Sequence, residues 1–319
     1  MSPTENSLPN LTEPLTVVAI VVTYNGKKWL DKCLGSLLHG DIKIRTIVVD
    51  NGSTDGSQAY IQENYPEVEF VQSEENLGFG KANNIGLEKA KLMKADYVFL
   101  LNQDAWISPD CVPKLIEAQR QSPEYGILSP IQYNGDGSDL DFKFHRFLGG
   151  ASGLLMDLLS TDRSLKDIYD IPFVNAAMWL ISKKALQDLI GFDQIFDHYG
   201  EDDDMIARAV SLGYRIGVCP HAAGWHDRPQ MEAVRFRNDC VNWLYTRDLV
   251  YLMTKPRPFA STRMGLAFYC LKRLIADLLR SNRLRQCRSI LFVQVSLWWK
   301  LNQRWSKIRD ALALRKPVS

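Results

Sequence analysis

Four short apolar runs, each closing on a polar residue, constrain this chain more than any other feature: VVAIVVT at 17–23, TIVVD at 46–50, VEFVQ at 68–72 and YVFLLN at 97–102. The first is continuously apolar and dominated by Val and Ile, which suits a strand covered on both faces. Between the runs, residues 29–38, 57–65 and 80–94 read as helices, the second ending before Pro66. Strands and helices alternating at this pitch predict an α/β fold with a doubly wound, mainly parallel sheet. Ligands of such sheets gather outside the carboxyl ends of the strands, where the polar closing residues fall.

Further along, 172–181 reads as a strand, and 183–190 and 202–212 as helices. The Gly- and Asp-rich stretch between, 129–169, with Phe interleaved, reads as a long surface loop able to order over a substrate as a lid. From about residue 232 the pattern is helical, with Leu266, Leu271, Leu274, Ile275, Leu278 and Leu279 apolar and Lys272, Arg273, Arg280, Arg283 and Arg285 basic. Three units follow: a polar tail over 1–14, an α/β domain over 15–230 and a basic amphipathic helical region over 231–319.

Net charge sharpens that division. The chain as a whole carries +1, yet from Arg228 onward 19 Lys and Arg stand against 5 Asp and Glu. A basic segment with Trp298, Trp299 and Trp305 suits the surface of an anionic membrane, with a cover for the sheet or a dimer contact as the alternative. No apolar run is long enough to span a bilayer, and the polar start lacks the features of a secretory leader. The six cysteines are scattered without a Cys-x-x-Cys pair, which fits a reducing compartment. A cytoplasmic protein, peripheral on the inner face of the plasma membrane, is the expectation.

Four constellations carry chemistry. Thr23-Tyr24-Asn25 and Asp50-Asn51-Gly52-Ser53 close the first two strands, and Asp50 can accept from a base or ribose; ordinary turns with a helix cap explain the same residues. Glycines and Lys81 in 75–86 lead into a helix whose N-terminus can meet a diphosphate. There is no G-x-G-x-x-G after the first strand and no P-loop, so dehydrogenase and kinase-like readings lose support. Asp104 follows the fourth strand, where one carboxylate can suffice for a hard cation whose shell is completed by phosphate and water. The run Glu201-Asp202-Asp203-Asp204 is costly unless its members cap a helix, face a cation or transfer protons.

Taken in order, VVTYN, VVDNGSTDGS, NLGFGKANNIGL, FLLNQDAWI, GFDQIFDHYGEDDDMIARAVSLGYRI and VCPHAAGWH resemble the family 2 glycosyltransferases of the GT-A fold, especially the rhamnosyltransferase-like bacterial branch. The match covers about 16–228. The resemblance implies an inverting transfer of a sugar from a nucleoside-diphosphate donor, dTDP-rhamnose or a UDP-sugar, to a glycan or lipid-linked glycan in cell-surface polysaccharide synthesis. It implies that Thr23, Tyr24, Asn25, Asp50, Gly78, Lys81, Asn83 and Asn102 line the nucleotide. Asp104 and His226 would then hold Mg²⁺ or Mn²⁺, Asp202 would be the general base, and Glu201 would orient the acceptor or tune the base.

Asn102 departs from the family's D-x-D pattern and leaves Asp104 as the one charged ligand on that strand. Two other classes compete. A sugar-1-phosphate nucleotidyltransferase needs a basic Gly-rich loop after the first strand, which Thr23-Tyr24-Asn25-Gly26 does not provide. A nucleic-acid-binding protein would use the basic tail but leaves the acidic run unexplained, so no nucleic-acid partner is expected; self-association through the tail stays open.

Overall fold

The computed structural model describes residues 15–149, 153–160, 164–196 and 199–228, with a scatter of positions between 267 and 309. At its centre β1 (Val17–Thr23) runs parallel to β2 (Arg45–Asp50) on one side and β4 (Tyr97–Asn102) on the other, with β3 (Glu69–Gln72) parallel at the edge. The β1 side chains alternate between two cores. Val17, Ala19 and Val21 pack with Leu30, Leu34 and Leu37 of α1 (Leu30–Leu38). Val18 and Ile20 pack with Ala82, Leu87 and Ala90 of α3 (Phe79–Leu92). Contact with α3 is close: a Cβ at Gly86 would stand 2.5 Å from Ile20 Cγ2, so the helix reaches the sheet only because that position has no side chain. Helix α2 (Ser57–Asn64) links β2 and β3, and α4 (Cys111–Gln121) follows a short strand β5 (Ala105–Ile107).

Beyond β4 the sheet becomes mixed. β8 (Met178–Ser182) lies antiparallel to β4, β6 (Tyr125–Asn134) antiparallel to β8, and β9 (Arg215–His226) parallel to β6. β5 and β7 (Tyr169–Asp170) pair antiparallel with β9. β1 to β4, β6 and β9 therefore share one direction, and the expected mainly parallel α/β sheet holds. Reversal at β8 has a consequence for the site: pairing of Leu101 with Met178 puts the turn before β8 at the carboxyl end of β4. The helices α7 (Lys183–Leu189) and α8 (Glu201–Ser211) complete this half.

Two expectations are corrected. The stretch 129–169 is not a loose surface loop: β6 continues to Asn134, and α5 (Phe142–Leu148) and α6 (Leu154–Leu159) bury Phe144, Leu148 and Leu154. Two of the polar residues that disguised β6 bond each other inside, with Gln132 Nε2 donating to Ser129 Oγ at 3.0 Å. The strand read over 172–181 begins only at Met178, because 171–177 turns toward the crevice. Most of the helical region expected after residue 232 lies outside the described residues; Leu271, Lys272, Ile275, Trp298, Trp299 and Trp305 among it are helical.

Candidate active site

The crevice is assembled from strand ends held level by register, Thr23 opposite Asp50 and Val22 opposite Asn102. Gln103, just past β4, clips two of them together. Its Oε1 accepts from Thr23 Oγ1 at 2.9 Å and from the Tyr24 N–H at 2.8 Å. Asn25, in the left-handed region at φ 51°, accepts from the Thr54 N–H at 2.8 Å and so binds the first strand end to the second. Asp50 is fully buried. Its Oδ1 accepts from the Ser53 N–H and from Gln58 Nε2, while its Oδ2 has no partner.

Above it, Asn51 Nδ2 donates to Asn76 Oδ1 and Asn51 Oδ1 accepts from the Leu77 N–H, which fastens the loop before α3 over β2. Gly78 opens α3 at φ 84°, a conformation that favours glycine. Lys81 is half-buried on the first turn of α3. Asn83 is buried and donates to the Phe79 carbonyl at 3.0 Å, so its side chain is engaged within its own helix.

The second cluster forms around Asp104. The β5–β9 ladder pairs Ala105 with His226, and the Asp227 N–H donates to the Asp104 carbonyl at 2.8 Å. That ladder brings His226 Nε2 to 3.2 Å from Asp104 Oδ1, with Asn102 Nδ2 3.5 Å from the same ring nitrogen. Neighbouring ligands of an octahedral ion, each about 2.1 Å from it, stand about 3 Å apart. The two side chains therefore fit adjacent positions on one divalent cation. Among the described residues no group of three or more His, Cys, Asp or Glu gathers to hold a metal, so a cation here would need ligands from a substrate or water.

The third cluster is the acidic start of α8, which Gly200 opens at φ 91°. Three of its four carboxylates have separate fates. Asp204 is fully buried and paired with Arg208, which also donates to the Leu189 and Gly191 carbonyls; this is a structural pin. Glu201 is 6% exposed, and its Oε2 has no partner. A Cβ at Gly80 would lie 3.6 Å from Glu201 Cβ and 3.2 Å from Phe192 Cβ, which places Glu201 against the first turn of α3. Burial, together with the charges of Asp202 and Asp203, pushes the Glu201 carboxyl up to about 7.

Burial also raises the Asp202 carboxyl above the usual range. The N–H groups of Asp203, of Asp202 itself and of Ala176, and the Lys143 ammonium, oppose that rise. Lys143 belongs to α5, so the segment expected to be a lid does bring a charge near Asp202.

One short turn joins the clusters. Ala177 accepts from the Asn102 N–H at 2.9 Å, while Ala176 donates toward Asp202. Gln103, Asn51 and Asn76 lie inside motifs legible in the sequence but had no role read from it, and Lys143 and this 175–177 turn were not singled out at all. Gln103 sits between two residues that were selected; the turn carries no motif.

A family model described as glycosyl transferase family 2 matches residues 18–190, more than half of the chain. The chain belongs to this family. As a family 2 glycosyltransferase it is 27% identical over 239 residues to the N-acetylglucosaminyl-diphospho-decaprenol L-rhamnosyltransferase of Mycobacterium tuberculosis, over 68% of this chain and 77% of the relative. Its fold is that of Staphylococcus aureus TarS 1–349 in complex with UDP-GlcNAc (TM-score 0.55, 17% identity, 93% of this chain and 88% of that one). GalNAc-T7 with UDP, GalNAc and Mn²⁺ is also similar (TM-score 0.55, 15% identity, 74% of this chain), and this glycosyltransferase spans half of that longer chain.

Proposed function

We propose that this glycosyltransferase moves a sugar from a nucleoside-diphosphate donor to a lipid-linked glycan with inversion at C1, assisted by Mg²⁺ or Mn²⁺. The observation that carries the reading is the 175–177 turn, whose Ala177 carbonyl accepts from Asn102, the neighbour of His226 and Asp104, and whose Ala176 N–H lies against Asp202. An in-line displacement needs leaving diphosphate and attacking hydroxyl on opposite sides of C1, and the two clusters suit those two ends. The mycobacterial relative's name, with a diphospho-decaprenol-linked N-acetylglucosamine, supports a lipid-linked acceptor, and the TarS complex supports a nucleotide-sugar donor.

The nucleotide would lie along Thr23, Tyr24 and Asn25, between Asp50 and the loop leading to Gly78, Lys81 and Asn83. Asp50 Oδ2, buried and unpartnered, is ready to accept from a pyrimidine N–H. Asn102 would border the diphosphate. Asp104 and His226 would hold the cation, which supplies charge stabilisation for the departing diphosphate. Asp202, with its raised proton affinity, takes the proton from the acceptor hydroxyl. Glu201 acts beneath it by holding the start of α8 against α3 and by tuning its charge.

A peripheral station on the inner membrane face is part of the reading. Phe268, Leu271 and Ile275 are helical and exposed at i, i+3 and i+7, Trp298 and Trp299 are exposed as well, and the region is strongly basic. No described helix is long and apolar enough to cross a membrane.

The test is a donor screen with Mn²⁺ present, using UDP-glucose, UDP-galactose, UDP-GlcNAc and dTDP-rhamnose with a GlcNAc-diphospholipid. NMR then reads the product anomer. Transfer with inversion is expected; nucleotide release with no glycosylated lipid from every donor would overturn the acceptor assignment, and a retained anomer the mechanism.

A further inference from the structure

Seven buried side-chain polar atoms among the described residues have no hydrogen-bond partner, and four of them belong to residues of the three clusters or of the turn that joins them: Asp50 Oδ2, Glu201 Oε2, His226 Nδ1 and Asn175 Oδ1. Buried polar atoms are almost always paired, so each such atom needs an explanation. The first three belong to side chains already placed at the nucleotide, the base and the cation. Asn175 has no assigned role.

Its position is narrowly defined. Asn175 opens the turn whose next two residues contact both ends of the proposed reaction, Ala176 toward Asp202 and Ala177 toward Asn102. The ring of a transferred sugar must lie between the diphosphate that leaves C1 and the hydroxyl that attacks it, and this turn spans that interval. The Ala177 carbonyl and the Ala176 N–H are already engaged. The Asn175 amide oxygen beside them is buried with its hydrogen-bonding capacity unused, and it can only accept.

We propose that Asn175 is a specificity-determining residue that accepts a hydrogen bond from a hydroxyl of the donor sugar. This rests on the transferase reading and deepens it. A site that hydrogen-bonds a substrate hydroxyl rejects an analogue lacking it, because the partner is then left buried and unpaired. Asn175 thus selects which hexose is moved, while Asp50 and its neighbours select the nucleotide.

The experiment compares wild type with Asn175→Ala on the best donor of the screen and on its monodeoxy analogues, and titrates both proteins with the matching free nucleoside diphosphate. Asn175→Ala is expected to lower kcat/KM for the intact donor about tenfold or more. It should also abolish the wild-type penalty against one deoxy analogue and leave nucleotide affinity within about twofold. An unchanged deoxy profile, or equal losses for donor and free nucleotide, would overturn the proposal.

If the variant does not fold, the wild-type protein labelled with ¹⁵N provides the reading. The Asn175 side-chain amide signals should shift with the intact nucleotide-sugar and stay in place with nucleoside diphosphate alone, and the reverse overturns the assignment. A wild-type protein that binds nucleotide but turns over no donor sinks the transferase reading instead, and this inference with it.

Discussion

Asp104 Oδ1 and His226 Nε2 lie 3.2 Å apart across 122 residues of chain, brought together by the pairing of β5 with the end of β9. Removing either half of this pair should cost the cation. Asp104→Ala and His226→Ala are each expected to lower turnover about 10²-fold or more. Chelation with EDTA should silence the wild type, and added Mn²⁺ should restore it. Steady-state kinetics with titrated Mn²⁺ checks both; variants that respond to Mn²⁺ as the wild type does would exclude them as ligands.

Asp202 should behave as a base whose proton affinity is raised by burial. Asp202→Asn is expected to lower kcat about 10²- to 10⁴-fold with little change in donor KM. In the wild type, activity is lost as pH falls through the Asp202 pKa. The acidic limb of kcat should therefore lie above that of an ordinary aspartate, and a kcat–pH profile locates it.

Glu201 predicts a dependence of stability on pH. Its carboxyl is held near 7 in the fold against an ordinary 4.5, so the folded protein retains a proton that the unfolded chain has lost. This contribution is fully present below 4.5 and disappears as pH rises through about 7. Glu201→Gln keeps the neutral form throughout. It should match the wild type near pH 4.5 and exceed it above pH 8 by up to roughly 3 kcal/mol in urea unfolding. Parallel curves for the two proteins would show that Glu201 is not the titrating group.

Arg208 predicts a purely structural loss. It pairs with the fully buried Asp204 and ties α8 to the Leu189 and Gly191 carbonyls. Arg208→Ala takes the guanidinium away from a buried carboxylate and should destabilise the fold by about 3–5 kcal/mol. Nucleotide affinity, measured where the variant is still folded, should be retained. A shift in denaturation midpoint under about 0.5 kcal/mol would mean that the pin carries no load.

Much of the first half was legible because its signals are local. A strand buried on both faces needs a run such as VVAIVVT, and the register of β1 with β2 and β4 carries the closing Thr23, Asp50 and Asn102 to one edge. The second half was less legible because polar residues there are buried. Ser129 and Gln132 bond each other inside β6 and read as loop, and β9 reaches His226 through a sequence broken by Pro220 and Gly224. The acidic run marked a site, but only the Arg208 ion pair separated the pinned Asp204 from Glu201, which is buried as well.

The amino-acid sequence by itself determined the alternation of strands and helices, the family, and the presence of carboxylates at strand ends. All of these rest on contiguous residues whose period and order survive without a fold. Tertiary structure decided which groups meet: Asp104 with His226, Gln103 with the end of β1, and the 175–177 turn between Asn102 and Asp202. Those meetings depend on strand direction and register across the sheet. Such non-local pairings are fixed only when distant segments bury their faces together, and no local pattern encodes them.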